Sequence, residues 1–260
     1  MVDADPPPSI LSKAFDVLRA FNANERVMTL TELSEASGLA KSTVHRLLAR
    51  LIELGAIEHH RSGYRISIEI FRLGVTTPAA SMRDVAISHL AALHRQTGQT
   101  IHLGILRQFE VIFLERLSAD SALPVLTGVG GRIPANCTAL GKALLAYEDL
   151  EDLESFLPNP MRQLTAASIT QVPILLAQLT EIRRTGLARE RGELQPGLAC
   201  TAVPIIVNGF AVGAVSITQA GTATFDPRWD RALRESAVLI AREVRTRLAE
   251  GRAHWFPKEM

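Results

Sequence analysis

A twenty-residue apolar run near the C-terminal end restricts the fold of this chain more than any other feature. Residues 198–217 (LACTAVPIIVNGFAVGAVSI) are long and apolar enough to be considered as a transmembrane helix. Asn208-Gly209 divides the run in half, and Asn-Gly is a strong signal for a two-residue β-hairpin turn. β-Branched residues fill both halves, as is typical of strands. We therefore predict two buried antiparallel strands in a soluble, cytoplasmic protein with no membrane span.

The first part of the chain shows three helical patterns followed by a short strand pair. Apolar residues recur at helical spacing in residues 9–21, 31–36 and 41–54, with Gly55 as the predicted C-cap of the third helix. Residues 56–67 then hold two strand-like stretches on either side of Arg61-Ser62-Gly63, which predicts a turn. Three helices and a small hairpin are the layout of a winged helix-turn-helix.

Hydrogen-bond donors crowd the start of the third helix and the hairpin. The net charge of the whole chain is only +1, but residues 36–66 carry a local balance of +3. The second helix of a helix-turn-helix places its first residues in the major groove, where Arg contacts guanine edges or phosphates. We predict DNA contacts from Lys41, Ser42, Thr43, His45, Arg46, Arg50, Arg61 and Arg65. The alternative is a solvated helix in which Ser42 or Thr43 serves as a cap.

The rest of the chain mixes strand and helix patterns. A helical connector is predicted over residues 82–96, strands over 100–107 and 111–117, and helices over 138–147, 173–184 (closed by Gly186) and 229–247. Together with the Asn-Gly hairpin, this mixture predicts an α+β domain with an antiparallel sheet.

Sequence motifs for catalysis, metals and cofactors are absent. Cys137 and Cys200 are too few for a disulfide framework or a tetrahedral zinc site. No complete phosphate-binding, dinucleotide-binding, His-Glu-x-x-His or Gly-x-Ser-x-Gly motif occurs. One enzymatic alternative remains, a hydrolase in which Cys200 or Cys137 acts with His102 and a glutamate. We predict that the protein is not an enzyme and has no cofactor and no metal.

Three segments in a fixed order resemble one protein family. They are residues 30–58 (LTELSEASGLAKSTVHRLLARLIELGAIE), 132–147 (RIPANCTALGKALLAY) and 186–205 (GLARERGELQPGLACTAVPI). Through them the chain resembles an IclR-family transcriptional regulator over nearly its whole length. The resemblance implies a winged helix-turn-helix, a linker helix and a GAF-like effector-binding domain with an antiparallel sheet. It also implies dimers, often paired into tetramers, that bind palindromic operators near catabolic genes.

The resemblance also implies domain boundaries. Residues 1–8 are expected to be a disordered lead-in, 9–75 the DNA-binding domain, 76–97 the linker helix, 98–250 the effector-binding domain and 251–260 a tail. A DNA-binding protein whose second domain is purely architectural is a further alternative. Stabilisation by small acids would distinguish a sensor from it, because a ligand that binds the folded state raises the melting temperature.

An effector site is implied between the sheet and the loop that leads into the helix near Thr138. By position, the resemblance assigns it Ile133, Ala139, Leu140, Glu190, Cys200, Ser216 and Thr218. Apolar residues here suit an aromatic ring, while N–H groups at the helix start and strand hydroxyls suit a carboxylate. The predicted effector is therefore a small organic acid, with an aromatic acid ahead of a short aliphatic one.

Each of these assignments has a plainer alternative. Cys200 in an apolar strand is often a small buried hydrophobe. Ser216 and Thr218 share one face of a strand, which is the solvated face of the sheet in the plainer interpretation. His102 fits a hydrogen-bonded strand histidine better than a ligand contact. Arg189 and Arg191 either make the mouth of the site cationic or point to solvent, and we favour solvent.

Overall fold

The computed structural model describes residues 9–21, 26–118, 128–149, 153, 155, 157–220 and 225–250. The chain divides into two compact units, residues 1–77 and 78–260. The lead-in and the tail predicted at the two ends of the chain lie outside the described residues.

The first unit contains helices α1 (Ile10–Ala20), α2 (Leu30–Ser37), α3 (Lys41–Glu53) and α4 (Ile68–Gly74), with a hairpin of β1 (Ile57–His60) and β2 (Gly63–Ile66). A capping box starts α2, because the Thr29 hydroxyl accepts from Glu32 N–H while the Glu32 carboxylate accepts from Thr29 N–H. The predicted role of Gly55 is wrong by one residue. Leu54 is the C-cap of α3, and Gly55 follows it in the left-handed region with φ +73°.

The apolar stripes of the three N-terminal helices meet in one core. Val17 of α1, Leu33 of α2 and Val44 and Leu48 of α3 are all at most 1% exposed. Helix α4 was not predicted, because its apolar residues Ile68, Phe71 and Leu73 stay exposed and form no buried stripe.

The second unit is a six-stranded antiparallel sheet with helices on both faces. Its elements are α5 (Pro78–Thr97), β3 (Thr100–Arg107), β4 (Glu110–Leu117), β5 (Arg132–Pro134), a 3-10 helix (Ala135–Cys137), α6 (Ala139–Leu145), α7 (Val172–Thr185), β6 (Ala188–Arg191), β7 (Leu198–Val207), β8 (Phe210–Ala220) and α8 (Pro227–Ala249). The strand order is β5-β4-β3-β8-β7-β6.

The apolar run that opened the sequence argument forms the central hairpin of this sheet. Strands β7 and β8 pair antiparallel, and Asn208 and Gly209 turn the chain with φ values of +51° and +86°. The predicted hairpin is confirmed. In the described part of the chain, no helix has the length and hydrophobicity needed to cross a membrane.

Strand alternation gives the sheet two different faces. Apolar residues such as Leu103, Val215 and Ile217 pack on one face with α5 and α8. The opposite face, which includes Cys200, Ala202 and Ala214, packs against α6 and α7. Ser216 and Thr218 alternate with Val215 and Ile217, so they point towards α6.

Helix α5 is longer than predicted and packs in the core of the second unit. Its residues Met82, Val85, Ala86, Leu90 and Leu93 are buried. Strands β5 and β6 were not predicted, since three and four residues are too few for a clear alternating pattern.

Candidate functional site

The surface of α3 separates cleanly into a buried apolar face and an exposed polar face. Val44, Leu47, Leu48 and Leu51 are buried, whereas Lys41, Ser42, His45, Arg46 and Arg50 are exposed and Thr43 is half-buried. The helix starts after Ala40, with no side-chain hydrogen bond to its N-terminus. Ser42 and Thr43 therefore do not cap this helix, and their hydroxyls are available to other partners.

The arginines of this surface fall into two groups. Arg50 pairs with Glu53 at 2.5 Å and Arg65 with Glu58 at 2.5 Å. Both pairs are exposed, and such surface pairs contribute little to stability and break easily. Arg46 on α3 and Arg61 in the hairpin turn are exposed and make no ion pair to another residue that the structure describes. Their full charge is therefore available to an anionic partner.

A cavity in the second unit lies between the sheet and the start of α6. It encloses about 370 Å³ of atom-free space, its open mouth included. It is lined by His102, Phe113, Thr138, Ala139, Leu140, Glu190, Leu194, Leu198, Cys200, Ser216 and Thr218. The structure thus brings together six of the seven residues predicted for an effector site.

Ile133 is the exception among the predicted residues. Its side chain is 3% exposed and packs in the apolar cluster around α6 that also contains Val111, its partner in the β4–β5 pairing. Ile133 therefore supports the wall from behind and does not line the cavity. Ser216 and Thr218 lie on a buried face of the sheet, so the solvated alternative for them is wrong.

A row of polar side chains crosses four neighbouring strands beneath the cavity. We call it the polar row: Glu190 on β6, Cys200 on β7, Thr218 on β8 and His102 on β3. Glu190 is the partner of Cys200 in the β6–β7 pairing, and its carboxylate helps to raise the pKa of the Cys200 thiol. Cys200 Sγ lies 3.2 Å from Thr218 Oγ1, which lies 3.3 Å from His102 Nδ1. These two contacts join β7, β8 and β3.

Both ends of the polar row carry a buried polar atom without a well-formed hydrogen bond. His102 Nε2 and Glu190 Oε1 have no hydrogen-bond partner among the described residues. A buried polar atom left unpaired costs about 1–3 kcal/mol, so such atoms usually meet a ligand or water. His102 is a hydrogen-bonded strand histidine, as favoured from the sequence, and its side chain also lines the cavity.

Burial sets the protonation of this row. It lowers the pKa of His102 from 6.5 to about 3, helped by the positive charge of Arg116, so the imidazole is neutral at pH 7. Burial also raises the pKa of Glu190 and, together with the nearby Glu190 carboxylate, raises that of the Cys200 thiol well above 9.0. Cys200 is therefore a thiol, and Thr218 separates it from His102. An activated cysteine nucleophile has a lowered pKa and a base next to it, and Cys200 has neither.

Lys142 on α6 supports the loop that closes one side of the cavity. Its side chain is fully buried, and Nζ donates to Glu193 Oε1 at 2.7 Å, Glu193 Oε2 at 2.9 Å and Gln178 Oε1 at 2.9 Å. Glu193 precedes Leu194, which lines the cavity. The sequence alone signals nothing special at Lys142, since the apolar pattern of α6 does not predict a buried cation.

The mouth of the cavity is not cationic. Arg189 and Arg191 are exposed and lie over the Phe225 ring at 4.7 and 5.1 Å, and Arg189 also pairs with Asp230 at 2.5 Å. The prediction that these arginines point away from the site is confirmed. The lining itself contains no Lys or Arg side chain. Helix α6 has only seven residues, and Thr138 Oγ1 accepts from Gly141 N–H, so its start is weaker support for a bound carboxylate than predicted.

Comparison with known proteins identifies the family. The sequence model described as "IclR helix-turn-helix domain" matches residues 10–61, and "Bacterial transcriptional regulator IclR C-terminal" matches residues 76–244. The chain belongs to the IclR family of bacterial transcriptional regulators. The α+β fold prediction, a helix-turn-helix domain followed by an effector domain with an antiparallel sheet, is confirmed. Because the IclR family is one of non-enzymatic regulators, the cysteine hydrolase alternative is wrong.

Individual IclR relatives match most of the chain. The HTH-type transcriptional regulator KdgR of Escherichia coli is 31% identical over 83% of this chain and 85% of its own length. KdgR of Dickeya chrysanthemi is 31% identical over 84% and 74%. The crystal structure of an IclR homolog complexed with 4-hydroxybenzoate, from Microbacterium hydrocarbonoxydans, has a TM-score of 0.83 at 28% identity, covering 92% of this chain and all of that one.

Proposed function

We propose that this IclR-family regulator senses a small organic acid, with an aromatic acid favoured, through the cavity under α6. The observation that supports this most directly is the pair of buried, unpaired atoms, His102 Nε2 and Glu190 Oε1, on two side chains that line the cavity. A site built of apolar walls with a few convergent polar groups is typical of small-molecule binding. A purely architectural domain has no need of such atoms.

The apolar residues of the lining favour a ring. Phe113, Leu140, Leu194 and Leu198 supply apolar surface, and Ser216 supplies a hydroxyl on the sheet side. The structural relative from Microbacterium hydrocarbonoxydans carries 4-hydroxybenzoate. This relative is our reason for choosing 4-hydroxybenzoate and benzoate as the first probes.

We propose DNA contacts from the exposed face of α3 and from the hairpin, as predicted from the sequence. Lys41, Ser42, Thr43, His45, Arg46 and Arg50 would reach the major groove, and Arg61 and Arg65 the backbone. The exposed donors and the absence of a capping role for Ser42 and Thr43 support this assignment. The proposed domains keep their predicted limits: 9–75 for DNA binding, 76–97 for the linker and 98–250 for effector binding.

We also propose that the protein acts as a dimer, in some states a dimer of dimers, on a palindromic operator in the cytoplasm. Large apolar side chains are exposed on two helices of the first unit, with Leu11 at 70%, Phe15 at 55%, Phe71 at 64% and Leu73 at 65%. Exposed apolar surface of this kind supports an interface with another chain. A two-fold dimer places two recognition helices on two half-sites of one operator.

The test is to fill the cavity without touching the DNA-binding unit. Ala139 is 1% exposed and lines the cavity, so Ala139→Trp should abolish binding of 4-hydroxybenzoate in calorimetry. Affinity for a DNA duplex selected by the protein from a random library should stay unchanged. Ala92→Trp, at an exposed position of α5, is the matched control and should bind both ligands normally.

A second cavity-filling variant replaces the first if Ala139→Trp does not fold. If Ala139→Trp loses its circular dichroism signal, Ser216→Leu fills the same cavity from the sheet side. A folded cavity-filling variant that still binds 4-hydroxybenzoate with wild-type affinity refutes this site. If no aromatic or short aliphatic acid raises the wild-type melting temperature, the proposed effector class is refuted.

A further inference from the structure

Leu194 differs from the other residues that line the cavity, because it is the one that solvent also reaches. Ten of the eleven lining residues are at most 9% exposed. Leu194, on the connection between β6 and β7, is half-buried, and Pro196 and Gly197 after it are exposed. Among the described residues, the solvent-facing side of the cavity therefore lies at Leu194.

The segment that carries Leu194 is a short loop with a glycine at each end. We call residues 192–197 the entry loop. Gly192 and Gly197 have φ values of +69° and +79°, a region that residues other than glycine rarely adopt. Gly192 N–H donates to the Leu198 carbonyl oxygen at 2.8 Å, so the two ends of the loop are joined. Rotation at the two glycines swings the loop while β6 and β7 on either side stay paired.

Glu193 fastens the entry loop in three directions. Its carboxylate accepts two hydrogens from Lys142 Nζ of α6, at 2.7 and 2.9 Å. Its N–H donates to Glu190 Oε2 of β6 at 3.0 Å, and its carbonyl oxygen accepts from the Ser168 hydroxyl at 2.6 Å. The closed position of the loop is therefore held by this one residue against three separate parts of the second unit.

Thr165 holds the same loop from outside the cavity. Its hydroxyl donates to the Gly192 carbonyl oxygen at 2.7 Å and is 3.2 Å from the Glu193 carbonyl oxygen. Neither Thr165 nor Ser168 lines the cavity. Their hydroxyls therefore act on the cavity through the entry loop.

We propose that the entry loop is the gate of the effector site, and that Glu193, Thr165 and Ser168 are positioning residues that hold Leu194 across the mouth of the cavity. The effector enters and leaves when their hydrogen bonds to the loop open. The proposal rests on the proposed function, because it takes this cavity to be the effector site. It adds that residues outside the cavity set the rates of effector binding.

A gate has a kinetic signature that a contact with the bound ligand lacks. When opening precedes both entry and release, the association and dissociation rate constants each scale with the open fraction. Loss of one hydrogen bond that exists only in the closed loop raises this fraction about fivefold. Both rate constants then rise together, and the Kd, which is their ratio, stays nearly unchanged. Loss of a contact with the bound ligand raises the dissociation rate constant alone.

The first experiment measures opening without any effector, through the thiol of Cys200. This thiol is buried and lines the cavity, so methyl methanethiosulfonate reaches it through the gate. In the full-length protein, Thr165→Val should speed modification of the Cys200 peptide, followed by mass spectrometry, about fivefold. Thr180→Val is the matched control and should react like wild type, because its exposed hydroxyl donates within α7.

A further variant separates opening of the loop from unfolding of the whole unit. Ile240 is fully buried on the opposite face of the sheet, so Ile240→Val destabilises the second unit without touching the entry loop. It should react at the wild-type rate, and a rate as fast as that of Thr165→Val would overturn the gate. A wild-type rate in Thr165→Val would overturn it as well. If Thr165→Val does not fold, Ser168→Ala removes the other hydroxyl that holds the loop.

The second experiment measures the rates for 4-hydroxybenzoate, with the Kd from calorimetry and the dissociation rate constant from NMR exchange of the ring hydrogens. Thr165→Val should raise the association and dissociation rate constants together, about fivefold, and keep the Kd within about twofold of wild type. A rise in the dissociation rate constant alone overturns the gate. If neither 4-hydroxybenzoate nor benzoate binds to wild type, the proposed function is refuted, and faster modification of Cys200 in Thr165→Val still supports the gate.

Discussion

Lys142 provides the sharpest test of the energetics under the cavity. Its side chain has no exposed surface, and its three hydrogens are all donated, two to the Glu193 carboxylate and one to Gln178. Lys142→Met removes the ammonium group and keeps most of the side-chain volume. Glu193, itself 7% exposed, is then a buried carboxylate without its cation, and Glu190 adds a like charge nearby.

The expected loss of stability is about 3–5 kcal/mol, the usual cost of leaving one partner of a buried ion pair alone. That is a large share of the roughly 5–15 kcal/mol that stabilises a typical domain. Replacing both partners, as in Lys142→Met with Glu193→Leu, should recover most of the loss, since an apolar pair needs no compensation for desolvation. The double variant should therefore be more stable than Lys142→Met alone.

The assay is urea unfolding followed by tryptophan fluorescence. Trp229 lies on α8 of the second unit, so its signal reports on the unit that contains Lys142. Arg184→Met, which breaks the exposed pair with Glu181, is the control and should leave the urea midpoint unchanged. A loss below about 1 kcal/mol for Lys142→Met, or a double variant less stable than the single one, would refute this account of a buried pair.

The remaining predictions concern the close packing of α6, acid stability and DNA binding. Gly141→Ala should destabilise the second unit by about 1–3 kcal/mol in the same assay, because its Cβ would overlap the Ala135 carbonyl. His102 has a pKa of about 3 in the folded protein against 6.5 unfolded, so unfolding takes up a proton as the pH falls through this window. Wild type should thus lose about 2 kcal/mol more than His102→Gln between pH 7.5 and 5.0, and equal losses would contradict the shift. Arg46→Ala should weaken operator binding by about 1–3 kcal/mol at fixed salt, whereas Arg61→Ala should weaken binding to all sequences equally and flatten its salt dependence.

Several elements were predictable because their signals are local. The apolar stripe of α3 and its polar face depend on neighbours three and four residues apart, and these appear directly in the sequence. The β7–β8 hairpin follows from Asn208-Gly209 between two β-branched stretches. The boundaries of these elements agree with the structure to within a few residues.

Most of the residues that line the cavity were predictable from the family resemblance and not from local sequence patterns. Ala139, Leu140, Glu190, Cys200, Ser216 and Thr218 were assigned through the family resemblance, and the structure places all six on the lining. Ile133 lies in the same apolar cluster as Ala139 and Leu140 but does not line the cavity. A position matched in sequence does not say whether its side chain reaches the cavity surface or packs in the core beside it.

The contacts between the buried polar side chains were determined only by the tertiary structure. His102 meets Thr218 because β3 pairs with β8 across more than a hundred residues of sequence, and Lys142 meets Glu193 through the packing of α6. Periodicity carries no information about such partners, since it records which face a residue occupies and not which strand lies beside it. The sequence by itself therefore determined two domains, their fold class and the polar face of α3. The strand order β3-β8-β7-β6 determined that four separate side chains lie in one row, with an unpaired atom at each end.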